Sequence, residues 1–360
     1  MMRTTVHALS IRRELAARFD AGQGFLLESV HIAPSVRARC IGGAMPLQGE
    51  IMRILIVGAG AVGGYFGGRL AAAGRDVTFL VRPHRAQALQ SKGLVIRSPR
   101  GDLTLKEVRT VLTNAIAQPF DLVLLSCKAY SLDDAIASLA PAVGPSTAIV
   151  PLLNGMRHID VLRQRFGNDK VMGGLCMIAA TLNPEGEIVH LNDTHGLTFG
   201  ELEGGLSPRM QAIAVALGNA GFDASTSIQI MPRMWEKWIF LATLAASTCL
   251  MRAAIGDILG TPDGRRVIEG MLADCRAVAQ YNGFPTSPDF DARAGQMLLT
   301  PSPLTASMLR DVENRSRTEA DHILGDLIAR GAPRQGGPLS LLQVAYSHLK
   351  AYEARQARGG

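Results

Sequence analysis

The feature that most constrains this chain is a glycine-rich turn between an apolar segment and a helical one. Residues 53–58 read RILIVG, which is rich in β-branched residues, and AVGGYFGGRLAAAG follows with helical spacing that ends at Gly74. The next apolar run, DVTFLV, predicts another strand. Strand, helix and strand in this order indicate a βαβ unit and a parallel sheet, so we predict an α/β Rossmann-type domain.

The turn has the pattern G-x-G-x-x-G, which is typical of dinucleotide-binding sites. It consists of Gly58, Ala59, Gly60, Ala61, Val62 and Gly63. The glycines permit a tight turn and let a pyrophosphate approach the helix N-terminus. Because the pattern directly follows a predicted strand and opens a predicted helix, we interpret it as a cofactor-binding turn rather than a turn that binds nothing.

The end of the second predicted strand indicates which dinucleotide is bound. NAD-binding domains place Asp or Glu there to bind the ribose 2′-hydroxyl, whereas a 2′-phosphate requires a cation. This chain has Arg82 at that position, followed by His84 and Arg85. A guanidinium can bind a phosphate through two parallel hydrogen bonds, so we predict NADPH rather than NADH.

Polar residues also follow two later strands of the predicted sheet. Lys128 comes after LVLLSC, and Asn154 comes after TAIVPLL. Ligands of open α/β sheets bind at the carboxyl ends of the strands, so both residues are predicted to face the cofactor. LVIRS and LTLKEV are predicted to form a hairpin, and the strand-like segments within residues 170–204 are expected to extend the first sheet.

The remaining chain is predicted to be helical. PRMQAIAVALGNAG reads as a helix closed by Gly221, and from Pro232 onward apolar residues recur at helical spacing in four long stretches. We therefore predict an NADP-binding Rossmann-like domain over residues 52–228 and an all-α substrate and catalytic domain over residues 229–360. Residues 1–51 are interpreted as an N-terminal extension, either disordered or the product of a misassigned start before Met52.

Composition narrows the class of function. The net charge is +6, but the basic residues are scattered and aromatics make up only 5%, which favours a small anionic ligand over nucleic acid. No apolar run is long enough for a membrane span, so no membrane is expected, and the scattered cysteines are expected to be reduced, buried thiols in the cytoplasm. Five cysteines stand far apart with no C-x-x-C pair, which predicts neither a metal site nor a disulfide framework, and Cys127 is interpreted as a packing residue.

Seven segments in order resemble the ketopantoate reductase (2-dehydropantoate 2-reductase) family. They are GAGAVGG, FLVR, SCKAY, LLNGM, MWEKW, AAIGDIL and SMLRDVENRSRTEAD, and the resemblance covers about residues 52–354. It implies NADPH-dependent reduction of a 2-oxo acid to a 2-hydroxy acid in a cleft between a Rossmann domain and a helical domain. Ketopantoate, reduced to pantoate in pantothenate biosynthesis, is the substrate that the resemblance favours.

The resemblance also implies roles for single residues. Lys237 in MWEKW matches the family's catalytic lysine, which would donate a hydrogen bond or a proton to the ketone oxygen as the alkoxide develops. The residues implied to contact the cofactor are Arg82, Lys128, Asn154, the backbone of Ala179, and Glu319. The positions implied to contact the substrate are Asn154, Lys237, Leu241, Ala245 and Ser307.

Two of these positions depart from the family pattern. Pantothenate-pathway members carry asparagines four and eight residues after the lysine, where this chain has Leu241 and Ala245. Apolar groups cannot pair with a substrate hydroxyl, and a buried polar group left unpaired costs about 1–3 kcal/mol. The alternatives are therefore a family reductase of a different, more apolar oxo acid, and a non-catalytic NADPH-binding sensor. The expected partner is a small-molecule 2-oxo acid, without nucleic acid or membrane, and a homodimer is left open.

Overall fold

The computed structural model describes residues 51–333 and 338–359, which belong to one compact unit. The interpretation of the N-terminal extension lies outside the described residues apart from Ile51. The division into two domains near residue 228 stays a prediction.

Two sheets are formed by strands spread along residues 53–226. The strands are β1 (Arg53–Val57), β2 (Asp76–Leu80), β3 (Leu94–Arg97), β4 (Leu103–Leu105), β5 (Thr110–Val111), β6 (Phe120–Leu125), β7 (Val143–Pro151), β8 (Gly173–Leu182), β9 (Ile188–Gly200) and β10 (Asp223–Thr226). The first sheet has the order β5-β2-β1-β6-β7, with every neighbouring pair parallel. The predicted βαβ unit and parallel sheet are therefore confirmed.

Helices surround the first sheet and form the C-terminal part. The α-helices are α1 (Ala61–Ala72), α2 (Pro83–Lys92), α3 (Leu132–Leu139), α4 (Arg157–Phe166), α5 (Pro208–Leu217), α6 (Ile230–Met251), α7 (Ile255–Leu259), α8 (Gly264–Tyr281), α9 (Pro288–Leu298), α10 (Ser307–Glu313), α11 (Asp326–Arg330) and α12 (Leu341–Ala357). Helix α6 packs against α8, α10 and α12. No helix in the described ranges is long and apolar enough to cross a membrane.

The first sheet is apolar on both faces, as a parallel sheet covered on both sides must be. Successive residues of β1 alternate between two cores. Ile54 and Ile56 belong to a core shared with α1 and the second sheet. Leu55 and Val57 belong to a larger core that continues into the C-terminal helices. One face of the sheet therefore shares its core with the C-terminal helices, and the other face shares its core with α1 and the second sheet.

The prediction that the segments after residue 170 extend the first sheet is wrong. Strands β8 and β9 pair with each other, and β9 joins β10 and the predicted β3–β4 hairpin in a second sheet. Glycines on α1 explain how this sheet packs there. A Cβ atom at Gly64 would lie 2.5 Å from Ile188 Cδ1, and one at Gly68 would lie 2.8 Å from Leu94 Cδ2. The second sheet therefore covers α1 closely.

Two predicted helices end earlier than expected. Helix α5 stops at Leu217, four residues before Gly221. One of the four helical stretches predicted after Pro232, TASMLRDVENRSRTEADHILGDLIARG, is interrupted, because α10 ends at Glu313 and a π-helical turn begins only at Asp321. Between them Arg315 has a left-handed backbone with φ of 53°, which helical geometry does not allow.

Candidate active site

The glycine turn has the shape that a bound pyrophosphate requires. Gly58 has φ of +93°, and a Cβ atom at Gly63 would lie 2.7 Å from Ser126 Oγ and would overlap the Gly58 carbonyl oxygen. Gly60 is the N-cap of α1, where no side chain caps the helix, and its Cβ position faces open space. Phosphate oxygens bind such exposed N–H groups at helix N-termini, so the turn fits a dinucleotide.

The two arginines after β2 have different surroundings. Arg85 Nε donates to the Ala59 carbonyl at 3.0 Å, and Arg85 Nη1 donates to the Gly186 carbonyl at 3.2 Å, so this side chain braces the turn. Arg82 has 75% of its side chain exposed and pairs at 3.2 Å with the equally exposed Asp134. Such surface ion pairs contribute about 0–1 kcal/mol, so Arg82 can exchange Asp134 for a phosphate at little cost.

The structure brings the predicted Lys128 and Glu319 together. Lys128 Nζ lies 3.1 Å from Glu319 Oε2, and Glu319 Oε1 accepts from the Ala129 N–H at 2.8 Å. A further carboxylate, Asp311, lies 3.3 Å from Lys128 Nζ. Burial of Lys128 disfavours its charge, but Glu319 and Asp311 outweigh that effect and raise the pKa of Lys128. This cluster ties the carboxyl edge of the first sheet to the C-terminal part.

Asp311 was not predicted from the sequence, although a signal was present. It lies four residues after Ser307 on α10, within one of the segments that carry the family resemblance. Residues four apart share a helix face, so a substrate contact at Ser307 would have indicated Asp311 as well. Ser307 itself is exposed at the first turn of α10.

Lys237 lies on α6 in an apolar setting. Trp235 and Trp238 beside it are buried, and burial lowers the pKa of Lys237, with a small opposing effect from the Cys176 thiol. No carboxylate in the described part of the chain forms an ion pair with Lys237. A lysine that has no carboxylate partner and a lowered pKa can donate a hydrogen bond or a proton to a ketone oxygen.

The face of α6 that carries Lys237 continues as an apolar surface. Leu241 and Ala245 follow it by four and eight residues, so they lie on the same face of the helix. Leu241 is half-buried and Ala245 is buried. The stripe beside the lysine therefore offers no hydrogen-bonding side chain at these two positions.

Two further predicted site residues lie on different sheets. Asn154 is half-buried in the turn after β7 of the first sheet, and the Cys176 thiol of β8 donates to the Leu152 carbonyl before that turn at 3.6 Å, whereas Ala179 lies on β8 of the second sheet. The Ala179 N–H already donates to Asn192 Oδ1 at 3.1 Å, so a backbone contact from Ala179 to a cofactor would use its carbonyl oxygen.

The described residues provide neither a thiolate at Cys127 nor a cluster of metal ligands. Cys127 is half-buried beside Lys128, and burial raises its pKa to about 12, so it is a neutral thiol at pH 7. Within residues 51–333 and 338–359, no group of three or more His, Cys, Asp or Glu side chains could hold a metal ion.

Comparison with known proteins identifies the family. The model of the family described as Ketopantoate reductase PanE/ApbA matches residues 54–204, and the model of its C-terminal part matches residues 229–353. The chain is 36% identical over 306 residues to the uncharacterized oxidoreductase YkpB of Bacillus subtilis (strain 168), which covers 85% of this chain and 100% of that protein. It is 28% identical to the 2-dehydropantoate 2-reductase of Archaeoglobus fulgidus, over 78% of this chain and 92% of that protein.

Solved structures agree with this assignment. The crystal structure of 2-dehydropantoate 2-reductase from Methylococcus capsulatus matches with a TM-score of 0.74 and 30% identity, over 84% of this chain and 97% of that chain. D-mandelate dehydrogenase with NADH shares the fold at 21% identity, with a TM-score of 0.73 over 84% of this chain and 99% of that chain. The chain belongs to the ketopantoate reductase family of NAD(P)H-dependent oxidoreductases.

Proposed function

We propose that this protein uses NADPH to reduce a 2-oxo acid to a 2-hydroxy acid, with ketopantoate as the leading candidate substrate. The observation that carries the proposal is the setting of Lys237. Its neighbours in the sequence, Trp235 and Trp238, are buried, no carboxylate among the described residues pairs with it, and burial lowers its pKa. A cytoplasmic location and two domains that meet near residue 228 are parts of the same proposal.

The choice of NADPH over NADH depends on the end of β2. No acidic residue follows this strand directly, and exposed Arg82 stands where a ribose 2′-phosphate would need a cation. The glycine turn would hold the pyrophosphate, while Lys128, Glu319 and the Ala179 backbone would contact other parts of the cofactor. NADPH, when bound, supplies the hydride for the carbonyl carbon.

In this proposal Lys237 is the general acid. Its ammonium donates a hydrogen bond to the ketone oxygen and transfers a proton from Nζ to that oxygen as the alkoxide forms. The lowered pKa of Lys237 favours this transfer, because it makes the ammonium a stronger acid and brings its pKa closer to neutral pH. Asn154 and Ser307 would orient the substrate through its polar groups.

A more apolar oxo acid is the second candidate substrate. Leu241 and Ala245 place hydrocarbon along the α6 face where a hydroxylated substrate would need hydrogen-bond partners. A matched pair of substrates separates the two readings. Ketopantoate and 3,3-dimethyl-2-oxobutanoate differ only in the terminal hydroxyl of ketopantoate, so their relative kcat/KM values report directly on how the enzyme treats that group.

The decisive experiment follows the oxidation of NADPH and of NADH by absorbance with a panel of 2-oxo acids that contains this pair. We expect NADPH to be oxidised faster than NADH with at least one of the acids. Tight NADPH binding without oxidation by any acid would instead support a sensor. If ketopantoate is turned over far more slowly than 3,3-dimethyl-2-oxobutanoate, the more apolar substrate is the correct one.

A further inference from the structure

Two buried histidines that the proposed reaction does not use lie beside the candidate site. The rings of His158 and His322 stack with centroids 5.5 Å apart and planes inclined by 24°, and His158 Nδ1 lies 3.3 Å from His322 Nε2. His158 is fully buried and His322 is 6% exposed. Because a hydrogen bond needs one donor and one acceptor, a neutral pair satisfies this contact.

His322 packs directly on the turn that carries Asn154. Gly155 has φ of +81°, and a Cβ atom there would lie 2.9 Å from His322 Cδ2. The imidazole also forms a hydrogen bond with the backbone of Asn154. His158 lies at the start of α4, and its Nδ1 contacts His322 Nε2. His322 therefore packs on the Asn154 turn while His158 holds its ring.

The pair is also connected to α6. His322 lies in the π-helical turn Asp321–Gly325, and the next residue, Ile323, accepts a hydrogen bond from Trp238 Nε1 at 2.9 Å. Trp238 directly follows Lys237. Such π-helical turns are rare and often lie at functional sites. One cluster of contacts thus links the segments that carry Asn154, Glu319 and Lys237.

One atom of the cluster has no partner. His158 Nε2 is buried and forms no hydrogen bond within the described residues, although buried ring nitrogens usually do. Lys237 is close enough for its charge to lower the pKa of His158 further, in addition to burial and His322. Lys237 precedes Trp238, whose indole binds the backbone next to His322, so the unpaired acceptor of His158 and the ammonium belong to one cluster of contacts.

We propose that His158 and His322 are positioning residues for the reaction, in which the neutral Nε2 of His158 accepts a hydrogen bond from the Lys237 ammonium in the assembled site. In this arrangement His158 Nδ1–H donates to His322 Nε2, which leaves the lone pair of His158 Nε2 available. A neutral acceptor orients the ammonium and leaves its charge in place, whereas a carboxylate would neutralise that charge. The inference rests on the proposed role of Lys237.

The charged and titratable groups around the cluster are few. Those that act on His158 are His322, Lys237 and Arg330, and those that act on His322 are Glu319, Asp326 and Arg157. Cys176 acts on Lys237. Burial lowers the pKa of both histidines, so each ring is neutral above pH 6.5 and the test is best made at neutral and alkaline pH.

Two substitutions separate the two nitrogens of His158. Asparagine places its amide near the position of Nδ1, so His158→Asn keeps the contact with His322 and removes the acceptor for Lys237. Glutamine places its amide near the position of Nε2, so His158→Gln keeps an acceptor there. His322→Phe is a further variant, which preserves ring volume and removes the hydrogen bonds of His322. Urea unfolding of each variant reports any loss of stability separately.

The first measurement does not need turnover. The chain has six lysines, so NMR of protein labelled with ¹³C-lysine can follow each Cε signal against pH, with Lys237→Met to assign the signal of interest. A hydrogen bond to the ammonium raises its pKa, so His158→Asn should lower the pKa of Lys237 by about half a unit to one unit. His158→Gln should restore most of that shift. An identical Lys237 pKa in all three proteins would overturn the proposal.

The second measurement tests the effect on catalysis. In His158→Asn the alkaline limb of the kcat profile should move to lower pH with the Lys237 pKa, while NADPH affinity stays unchanged. His322→Phe should raise KM for the oxo acid more than the Kd for NADPH, because it loosens the Asn154 turn. A folded wild-type protein without reductase activity would refute the proposed function, and the lysine titration would still decide this inference. Normal activity with unshifted profiles in these variants would refute the inference alone.

Discussion

The proposed cofactor side of the site has more charged and hydrogen-bonding groups than the proposed substrate side. At the carboxyl edge of the first sheet, an open glycine cradle, exposed Arg82 and the Lys128–Glu319 pair provide charges and N–H groups for an anionic ligand. Along α6, Lys237 is followed on its own face by Leu241 and Ala245. If the proposed roles are correct, this chain has kept the groups for hydride transfer while the helix face that contacts the substrate has become apolar.

The largest effect should come from Lys237, the cation on the proposed substrate side. Lys237→Ala removes the acid for the ketone oxygen, so kcat should fall by roughly 10²–10⁴-fold, the range typical of general acid catalysis. NADPH affinity, measured by fluorescence titration, should change little because the cofactor side is intact. Lys92→Ala, at an exposed lysine of α2, is the matched control. Near-normal turnover in Lys237→Ala would show that the acid lies elsewhere.

On the cofactor side, charge reversal at Arg82 should discriminate between the two dinucleotides. Arg82→Asp removes the cation for the 2′-phosphate and adds a repulsive negative charge. The Kd for NADPH should therefore rise about 10- to 100-fold, which corresponds to the free energy that charge-assisted hydrogen bonds contribute. The Kd for NADH should change far less. Asp134→Asn removes only the partner of Arg82 and should leave NADPH binding intact. Equal losses for NADPH and NADH in Arg82→Asp would contradict the 2′-phosphate assignment.

Two glycines of the same turn should respond differently to the same added methyl group. Gly63→Ala would crowd Ser126 and the Gly58 carbonyl, so it should lower the free energy of unfolding by about 1–3 kcal/mol. Gly60→Ala meets only open space, so stability should persist while the methyl group obstructs the pyrophosphate. Urea unfolding and NADPH titration of both variants test this contrast. Unchanged NADPH affinity in Gly60→Ala would place the pyrophosphate elsewhere.

The smallest expected effect concerns substrate choice. Leu241→Asn combined with Ala245→Asn restores hydrogen-bonding groups along α6, so kcat/KM for ketopantoate relative to 3,3-dimethyl-2-oxobutanoate should rise about 10-fold, as one buried hydrogen bond would give. Because Ala245 is buried, Leu241→Asn alone serves as the less disruptive comparison. The prediction fails if the ratio stays constant while both variants remain folded and active with the apolar acid.

Local sequence patterns predicted much of the first sheet and the polar residues at its edge that we propose bind the cofactor. The strand–turn–helix order predicted β1, α1 and β2, and residues at strand ends identified Arg82, Lys128 and Asn154, because parallel strands bring their carboxyl ends to one edge. The sequence did not indicate which strands pair over a distance. The periodicity of β8 and β9 is the same in either sheet, and only their packing on the glycine face of α1 assigns them to the second one.

By itself, the sequence determined the class of cofactor and the family, and it predicted the role of the lysine on α6, because these depend on short segments whose residue types and order carry the chemistry. Only the tertiary structure decided what surrounds those residues. Asp311 reaches Lys128 across 183 positions of the chain, and His158 meets His322 across 164. Contacts of this kind depend on how helices and sheets pack together. That packing brings residues together that are far apart in the sequence, so local patterns do not predict it.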